Sequence, residues 1–109
     1  MEKCTLVEIS RYEVSEGVSE YHAIIRVSNT RLTYMEQVEA VLGAYSELIR
    51  EELKGATAVF KRFFLSDAAN QVDYLLALQT EYEDCPLSIV EQAPLDGSKV
   101  ALWVYLQKG

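Results

Sequence analysis

Three cations lie within predicted strands rather than on predicted helices, and one of them is placed to bind an anion. Arg26 ends the stretch HAIIR, and Lys61 and Arg62 lie inside TAVFKRFFLSD. Arg62 lies between Phe60 and Phe64 on one side of that strand. A guanidinium among aromatic rings either stacks structurally or holds an anion. We take Arg62 as a candidate ligand-binding residue and keep the stacked structural role as the alternative.

A second group of candidate binding residues flanks a polar turn, APLDGSK. Glu91 and Gln92 precede the turn, and Trp103 and Tyr105 follow it. A glutamine amide donates and accepts hydrogen bonds, so Gln92 can recognise a carboxylate or a carbonyl, unless it simply faces solvent. The phenol of Tyr105 can meet a ligand, or its ring can pack in an interface while the backbone satisfies its hydroxyl. Trp103 is expected to serve core or interface packing.

Histidine and cysteine usage argues against the common catalytic and metal-binding arrangements. His22 is the only histidine, so a histidine cluster cannot hold a metal. Without a GxSxG motif, a Ser-His-Asp triad through His22 is not expected, and a strand surface position is the better interpretation. Cys4 and Cys85 are far apart and lack zinc-site spacing, so we expect reduced thiols. No glycine-rich phosphate-binding motif occurs, and we predict neither a metal nor a cofactor.

The composition is that of an ordinary globular protein with an acidic character. The 109 residues are 50% hydrophobic and 25% charged, and the formal net charge is −7. This length fits one domain over residues 1–109. A negative field repels phosphate backbones and anionic lipids, so we expect neither nucleic-acid nor membrane binding. No signal-peptide pattern and no apolar run long enough for a membrane span is present, which favours the cytoplasm.

The first half of the sequence predicts a hairpin and a long helix. Loose alternation of apolar and polar residues predicts strands at 4–14 and 20–28, joined by the turn SEGVS. From Thr33 the apolar residues recur every three or four positions, which predicts a helix that ends at Gly55. Thr33 and Glu36 match a capping box, in which each side chain bonds a free backbone N–H at the helix start.

The second half predicts a strand, a helix and a final hairpin. These elements are a strand at 57–67, a helix at about 68–82 capped by Ser66 or Asp67, and strands at 87–92 and 99–107. The order β-β-α-β-α-β-β indicates the α+β class, a two-layer sandwich with two helices packed on one face of a mixed β-sheet. Aromatic and aliphatic residues occur on both sides of the strands. A second copy should therefore cover the face without helices, in a dimer or trimer.

Two stretches of the sequence resemble the RidA family, also called YjgF. FFLSDAANQVDYL at 63–75 is similar to the family's strand that ends in a hydroxyl residue and Asp before the second helix. CPLSIVEQAPL at 85–95 is similar to the family's Pro, Ser and VE-x-A-x-L strand. The resemblance covers about residues 21–107. It implies a chorismate-mutase-like fold, a homotrimer and ligand pockets between subunits.

For the active branch of that family, the resemblance implies hydrolysis of reactive enamine and imine acids to keto acids and ammonia. That branch has an arginine immediately before the strand serine, where its donors bind the substrate carboxylate. This chain instead reads Pro86, Leu87 and Ser88. The cysteine that often follows the serine is replaced by Ile89, and the late acidic residue falls at or near Tyr105. One of the strand cations could supply the missing positive charge.

Three functions agree with these residues. The first is a RidA-like trimer that binds a small carboxylate or carbonyl metabolite through Arg62, Glu91, Gln92 and Tyr105, with or without hydrolysis of enamine and imine intermediates. The second is a non-catalytic ligand-sensing or protein-interaction module with the same fold. The third is an unrelated ferredoxin-like domain that dimerises through its sheet. A turnover assay separates the first two, and the number of subunits separates the third.

Overall fold

A computed structural model describes residues 4–80, 85–92 and 97–108. The elements are β1 (Thr5–Ser15), β2 (Val18–Val27), α1 (Tyr34–Glu47), a π-helical turn (Leu48–Glu52), β3 (Thr57–Leu65), α2 (Ala68–Gln79), β4 (Leu87–Glu91) and β5 (Val100–Lys108). The predicted order β-β-α-β-α-β-β is confirmed, and the π-helical turn is an addition to it. The predicted turn at 93–98 lies largely outside the described residues, as does the end of the predicted second helix beyond residue 80.

The five strands form one mixed sheet in the order β1-β2-β5-β3-β4. β3 and β4 run parallel, and the other three pairs are antiparallel. α2 is the connection between the parallel strands, as such a pair requires. β5 follows the other four strands along the chain, but it lies between β2 and β3 in the sheet. The hairpin predicted for the last two strands is therefore wrong, because β3 separates β4 from β5 in the described sheet. The predicted α+β class, with a mixed sheet and two helices, is confirmed.

The capping box predicted for α1 is present. Thr33 Oγ1 accepts from the Glu36 N–H at 3.2 Å, and Glu36 Oε1 accepts from the Thr33 N–H at 2.9 Å. Because these bonds satisfy free donors at the helix start, they fix where α1 begins. At the other end, the Leu53 N–H bonds the Leu48 carbonyl at 2.8 Å, and Gly55 leaves the helix with a φ of 90°. A positive φ of that size favours glycine.

The start of α2 is stabilised differently from the prediction. Asp67 is the N-cap residue, but its side chain makes no capping bond and accepts instead from the Asn70 amide at 2.7 Å. The hydroxyl of Ser66 accepts from the Gln71 amide at 3.0 Å. The carboxylate of Glu91, from β4, accepts from the Ala68 N–H at 3.0 Å. The predicted N-cap position, Asp67, is confirmed, but its side chain does not cap the helix, and a carboxylate distant in sequence takes that role.

The hydrophobic core fills the space between the sheet and the two helices. Its fully buried aliphatic and aromatic members include Ile25, Val38, Val41, Tyr45, Phe63, Leu75, Leu102 and Leu106. Lys61 is fully buried among them, with its Nζ 3.0 Å from Gln79 Oε1 and 4.6 Å from the centre of the Tyr45 ring. Lys61 is therefore a buried, hydrogen-bonded cation on the helix-covered side.

One strand departs from strict alternation. Alternation predicts that Val59 faces the helices together with Phe63 and Leu65. The pairing of β3 with β5 shifts register between Ala58 and Phe60, and Val59 is 38% exposed. The prediction for Val59 is wrong, because the extra residue of a bulge is left out of the ladder. Among the described residues, no helix has the length and apolar character to cross a membrane.

Candidate functional site

The side of the sheet opposite the helices forms a broad surface that no described element covers. This open face consists of the even-numbered residues 6–12, 20–26, 60–64 and 88–90 and the odd-numbered residues 101–107. Leu6, Tyr12 and Ile24 are 53%, 56% and 39% exposed on it. Large apolar side chains exposed together on one face commonly mark a binding or assembly surface. The four predicted binding residues differ in their position relative to this face.

Arg62 lies on the open face between two neighbouring strands. Its cross-strand partners are Ser88 in β4 and Trp103 in β5. Arg62 Nε donates to Ser88 Oγ at 3.2 Å, and Cζ lies 5.7 Å from the Phe60 ring centre and 5.9 Å from that of Trp103. The side chain is thus oriented at one edge and stacked, but still exposed. Its two Nη groups are the donors that these contacts leave for an anion.

The other two candidate cations are already engaged. Arg26, also on the open face, forms an ion pair with Glu8 of β1. Lys61 is buried on the opposite side of the sheet and bonds Gln79. Within the part of the chain that the structure describes, no carboxylate lies within ion-pairing distance of Arg62. Of the three cations, Arg62 alone combines the open face with an available guanidinium edge.

Tyr105 lies on the open face in a small polar group. Its hydroxyl donates to the Glu20 carboxylate and accepts from Gln107 Nε2 at 2.9 Å. The bond to Glu20 is the main cause of a raised pKa of the Tyr105 phenol, and burial and the negative charge of Glu20 add to it. The Gln107 bond acts in the opposite direction. The hydroxyl is satisfied by side chains rather than by the backbone, and it stays protonated at neutral pH.

His22 is part of an aromatic cluster on the open face, a role that the sequence did not predict. Its ring stacks on Tyr105 with ring centres 5.0 Å apart and planes at 22°. Trp103 and Tyr12 flank it, each with a ring centre at 5.7 Å. The pairing of His22 with Tyr105 across β2 and β5 creates this cluster. Aromatic residues on alternating positions of both strands were the only signal available in the sequence.

Glu91 and Gln92 lie at the end of β4, away from the Arg62 guanidinium. The Glu91 carboxylate faces α2 and bonds the Ala68 N–H, as described above. Gln92 is exposed, and its N–H donates to the Leu65 carbonyl at 3.0 Å. Their ligand-binding roles stay predictions. No group of three or more His, Cys, Asp or Glu side chains that could hold a metal occurs in residues 4–80, 85–92 and 97–108.

Comparison with protein families and with curated proteins finds no match to this sequence. Among solved structures, the crystal structure of a "putative translation initiation inhibitor" from Salmonella typhimurium is similar, with a TM-score of 0.56 and 14% sequence identity. The likeness covers 89% of this chain and 95% of that chain. The chain has a RidA/YjgF-like fold. At this identity the likeness establishes the fold, and the activity has to be argued from the site.

The positions at which the sequence is expected to depart from the RidA pattern lie on β4 and β5. Leu87, at the position immediately before the strand serine, pairs with Lys61 and contacts the core on the helix-covered side. Arg62 is the residue directly opposite Ser88 in the neighbouring strand, and its guanidinium reaches the serine hydroxyl. Tyr105, at or near which the resemblance places a late acidic residue, donates a hydrogen bond to the Glu20 carboxylate of β2. A cation and an acid therefore approach these positions from neighbouring strands.

Proposed function

We propose that this protein binds a small metabolite that carries a carboxylate or a carbonyl group, with Arg62 as the main anchor. The observation that carries the proposal is the Arg62 guanidinium. It is exposed on the open face, its Nε is fixed by Ser88, and no described carboxylate pairs with it. A guanidinium held at one edge presents its remaining donors in the planar arrangement that a carboxylate accepts.

The proposed assembly is a homotrimer in which the open faces of neighbouring copies meet and enclose the ligand. The support is the apolar character of that face, which a small monomer rarely leaves in water, together with the RidA-like fold. Burial at such an interface would lower the local dielectric and strengthen the attraction between Arg62 and a carboxylate. Tyr105 is on the same face. Glu91 and Gln92 at the end of β4 complete the proposed set, and Glu91 would have to exchange its bond to the Ala68 N–H for one to the ligand.

Hydrolysis of enamine or imine acids is a second candidate function of the same site. The observation that favours it is the Glu20–Tyr105 pair, in which a phenol and a carboxylate can exchange a proton with bound water. Water would add to the imine carbon, and the nitrogen would leave as ammonia after protonation, with a keto acid as the other product. Glu20 pairs with Gln107 while Arg62 pairs with Trp103. Their backbone positions are therefore roughly 13 Å apart along β5, and for this function the proposed assembly would have to bring both groups to one ligand.

The test is a binding titration with 2-oxobutyrate by calorimetry, on protein whose subunit number has been measured by light scattering. Arg62→Gln should weaken binding by about 10- to 100-fold, the range expected for a hydrogen bond to a charged group. Arg26→Gln is the matched control, because Arg26 is an arginine on the same face that Glu8 already neutralises. Equal binding by the wild type and Arg62→Gln would overturn the proposal.

A parallel assay follows ammonia release from freshly generated 2-iminobutyrate. Acceleration above the spontaneous rate that disappears in Arg62→Gln and in Glu20→Gln would support hydrolysis. Binding without acceleration would support the non-catalytic sensing or interaction module. If an intact assembly shows no binding and no acceleration, both functions are refuted.

A further inference from the structure

We propose that the Arg62 site selects carboxylates attached to a flat, unsaturated body, such as an aromatic ring, over compact or saturated ones. This inference rests on the proposed binding function and names the chemical class of its ligand. It is carried by the surroundings of the guanidinium on the open face, where aromatic and aliphatic side chains predominate.

A ligand can approach the Arg62 guanidinium at one edge, the edge that carries the two Nη groups. Nε is used by Ser88, and Phe60 and Trp103 lie within 6 Å of Cζ. A carboxylate that bonds the two Nη groups lies roughly in the guanidinium plane. The remainder of the ligand must then extend over the surface next to the guanidinium.

That surface is mostly aromatic. Phe60 and Phe64 flank Arg62 along β3, and Trp103 faces it from β5. All three are partly exposed, so their rings are available to a ligand, and the Phe60 and Trp103 ring centres are 6.2 Å apart. Aromatic rings prefer offset or edge-to-face contact with another π system, and such contacts add to the gain from area burial. A flat body can use both rings, whereas a short aliphatic acid reaches neither well.

The same surroundings disfavour a second charge or several hydroxyl groups on the ligand. Among the described residues, Ser88 is the polar neighbour of Arg62 across the strands, and its hydroxyl already accepts from Nε. Lys61 points to the other side of the sheet, and Arg26 is paired with Glu8. A second carboxylate would lose hydration without gaining a cation, and the net charge of −7 adds repulsion. The preferred ligand is a monocarboxylate.

Three monocarboxylates of graded shape test the inference. They are trans-cinnamate, which is flat, 3-cyclohexylpropanoate, which has a similar size but a saturated ring, and butanoate, which lacks a ring. Calorimetry gives the affinities. The emission of Trp103, the only tryptophan in the chain, reports whether the ligand lies at this site. Cinnamamide, the neutral isostere, tests the need for the carboxylate.

We expect cinnamate to bind about three- to tenfold more tightly than 3-cyclohexylpropanoate, and butanoate to bind most weakly. Phe60→Leu should weaken cinnamate binding more than 3-cyclohexylpropanoate binding, and so remove most of the preference for the flat acid. Arg62→Gln should weaken binding of every acid, and Arg26→Gln should weaken none. Trp103 emission should change with cinnamate and not with cinnamamide.

The outcomes separate this inference from the function on which it rests. Equal affinities for cinnamate and 3-cyclohexylpropanoate, both lost in Arg62→Gln, would overturn the selectivity for flat ligands and leave the binding function intact. Cinnamate binding that persists in Arg62→Gln would overturn the site. No binding of any of these acids or of 2-oxobutyrate to the folded assembly would overturn both proposals.

Discussion

Arg62 Nε donates a hydrogen bond to Ser88 Oγ at 3.2 Å, across the one parallel pair that the described part of the sheet contains. The bond joins an arginine of β3 to a serine of β4, and the two residues are 26 positions apart in the chain. The serine hydroxyl thus orients the guanidinium that we propose as the ligand anchor.

Ser88→Ala is expected to weaken binding of 2-oxobutyrate by about three- to tenfold, because the guanidinium loses the bond that orients it. Stability should change by less than about 0.5 kcal/mol, as is usual for such surface positions. Calorimetry and thermal unfolding measure the two effects. Ser10→Ala, on the open face in β1, is the control and should alter neither. A large loss of stability without a loss of affinity would contradict the orienting role.

Ile24→Glu is expected to convert the proposed trimer into monomers. Ile24 is 39% exposed near the middle of the open face, and a carboxylate there would have to be buried without a partner when copies meet. Sedimentation velocity gives the mass of the main species. Met35→Glu is the control, since Met35 is 55% exposed in the first turn of α1, where a carboxylate is favourable. An unchanged trimer in Ile24→Glu would show that the open face is not the assembly surface.

Tyr34 should make stability sensitive to alkaline pH. Its hydroxyl donates to the Gln71 carbonyl at 2.8 Å. Burial, assisted by the neighbouring Tyr74, raises the pKa of Tyr34 to about 12 from 10.0. Because the folded state holds this proton more tightly, the stabilisation is complete below pH 10 and decreases as pH rises from there to about 12.

Urea unfolding of the wild type and Tyr34→Phe, measured at several pH values, checks this prediction. The wild type should be the more stable protein at pH about 9, by roughly 1 kcal/mol for the lost hydrogen bond. The difference between the two should shrink as the pH approaches about 12. If the unfolding free energies of the two proteins change with pH in parallel, Tyr34 is not responsible for the loss of stability at alkaline pH.

Gln79→Leu should destabilise the protein by about 1–3 kcal/mol, since it removes the amide oxygen that accepts from the buried Lys61 ammonium. The double variant Lys61→Met/Gln79→Leu should recover much of that loss, because the buried charge disappears together with its partner. Chemical unfolding of both variants and of Lys61→Met alone completes the cycle. Strictly additive effects in the cycle would argue against a direct coupling between the two side chains.

Local patterns in the sequence were enough to predict the order of elements and the start of α1. The Thr33–Glu36 box works through neighbouring backbone groups, so four consecutive residues contain all the information needed. The start of α2 near residue 68 was also predicted, but the group that caps it was not, because Glu91 reaches Ala68 from another strand. Likewise, alternation placed Phe60, Arg62 and Phe64 correctly on one side but could not reveal a bulge beside them.

In the candidate site, too, some features could be predicted from local sequence and others depend on strands that are distant in the chain. Arg62 and Tyr105 were identified from residue type and strand position, but their partners were not. Glu20 reaches the Tyr105 hydroxyl across 85 residues of sequence, and His22 stacks on the same ring only because β2 and β5 are neighbours. Strand pairing between distant segments is decided by the whole fold rather than by local propensity.

The position of β5 between β2 and β3 has a consequence for synthesis of the protein in the cell. A ribosome releases the β1–β2 hairpin and the β3-α2-β4 unit before the strand that joins them. Until β5 emerges, β2 and β3 each expose a row of unpaired amide and carbonyl groups, as well as apolar side chains meant for the core. Chains in which β5 has not yet joined the sheet are therefore expected to be prone to aggregation. Substitutions that weaken β5 should reduce the soluble yield in cells more than their effect on equilibrium stability suggests.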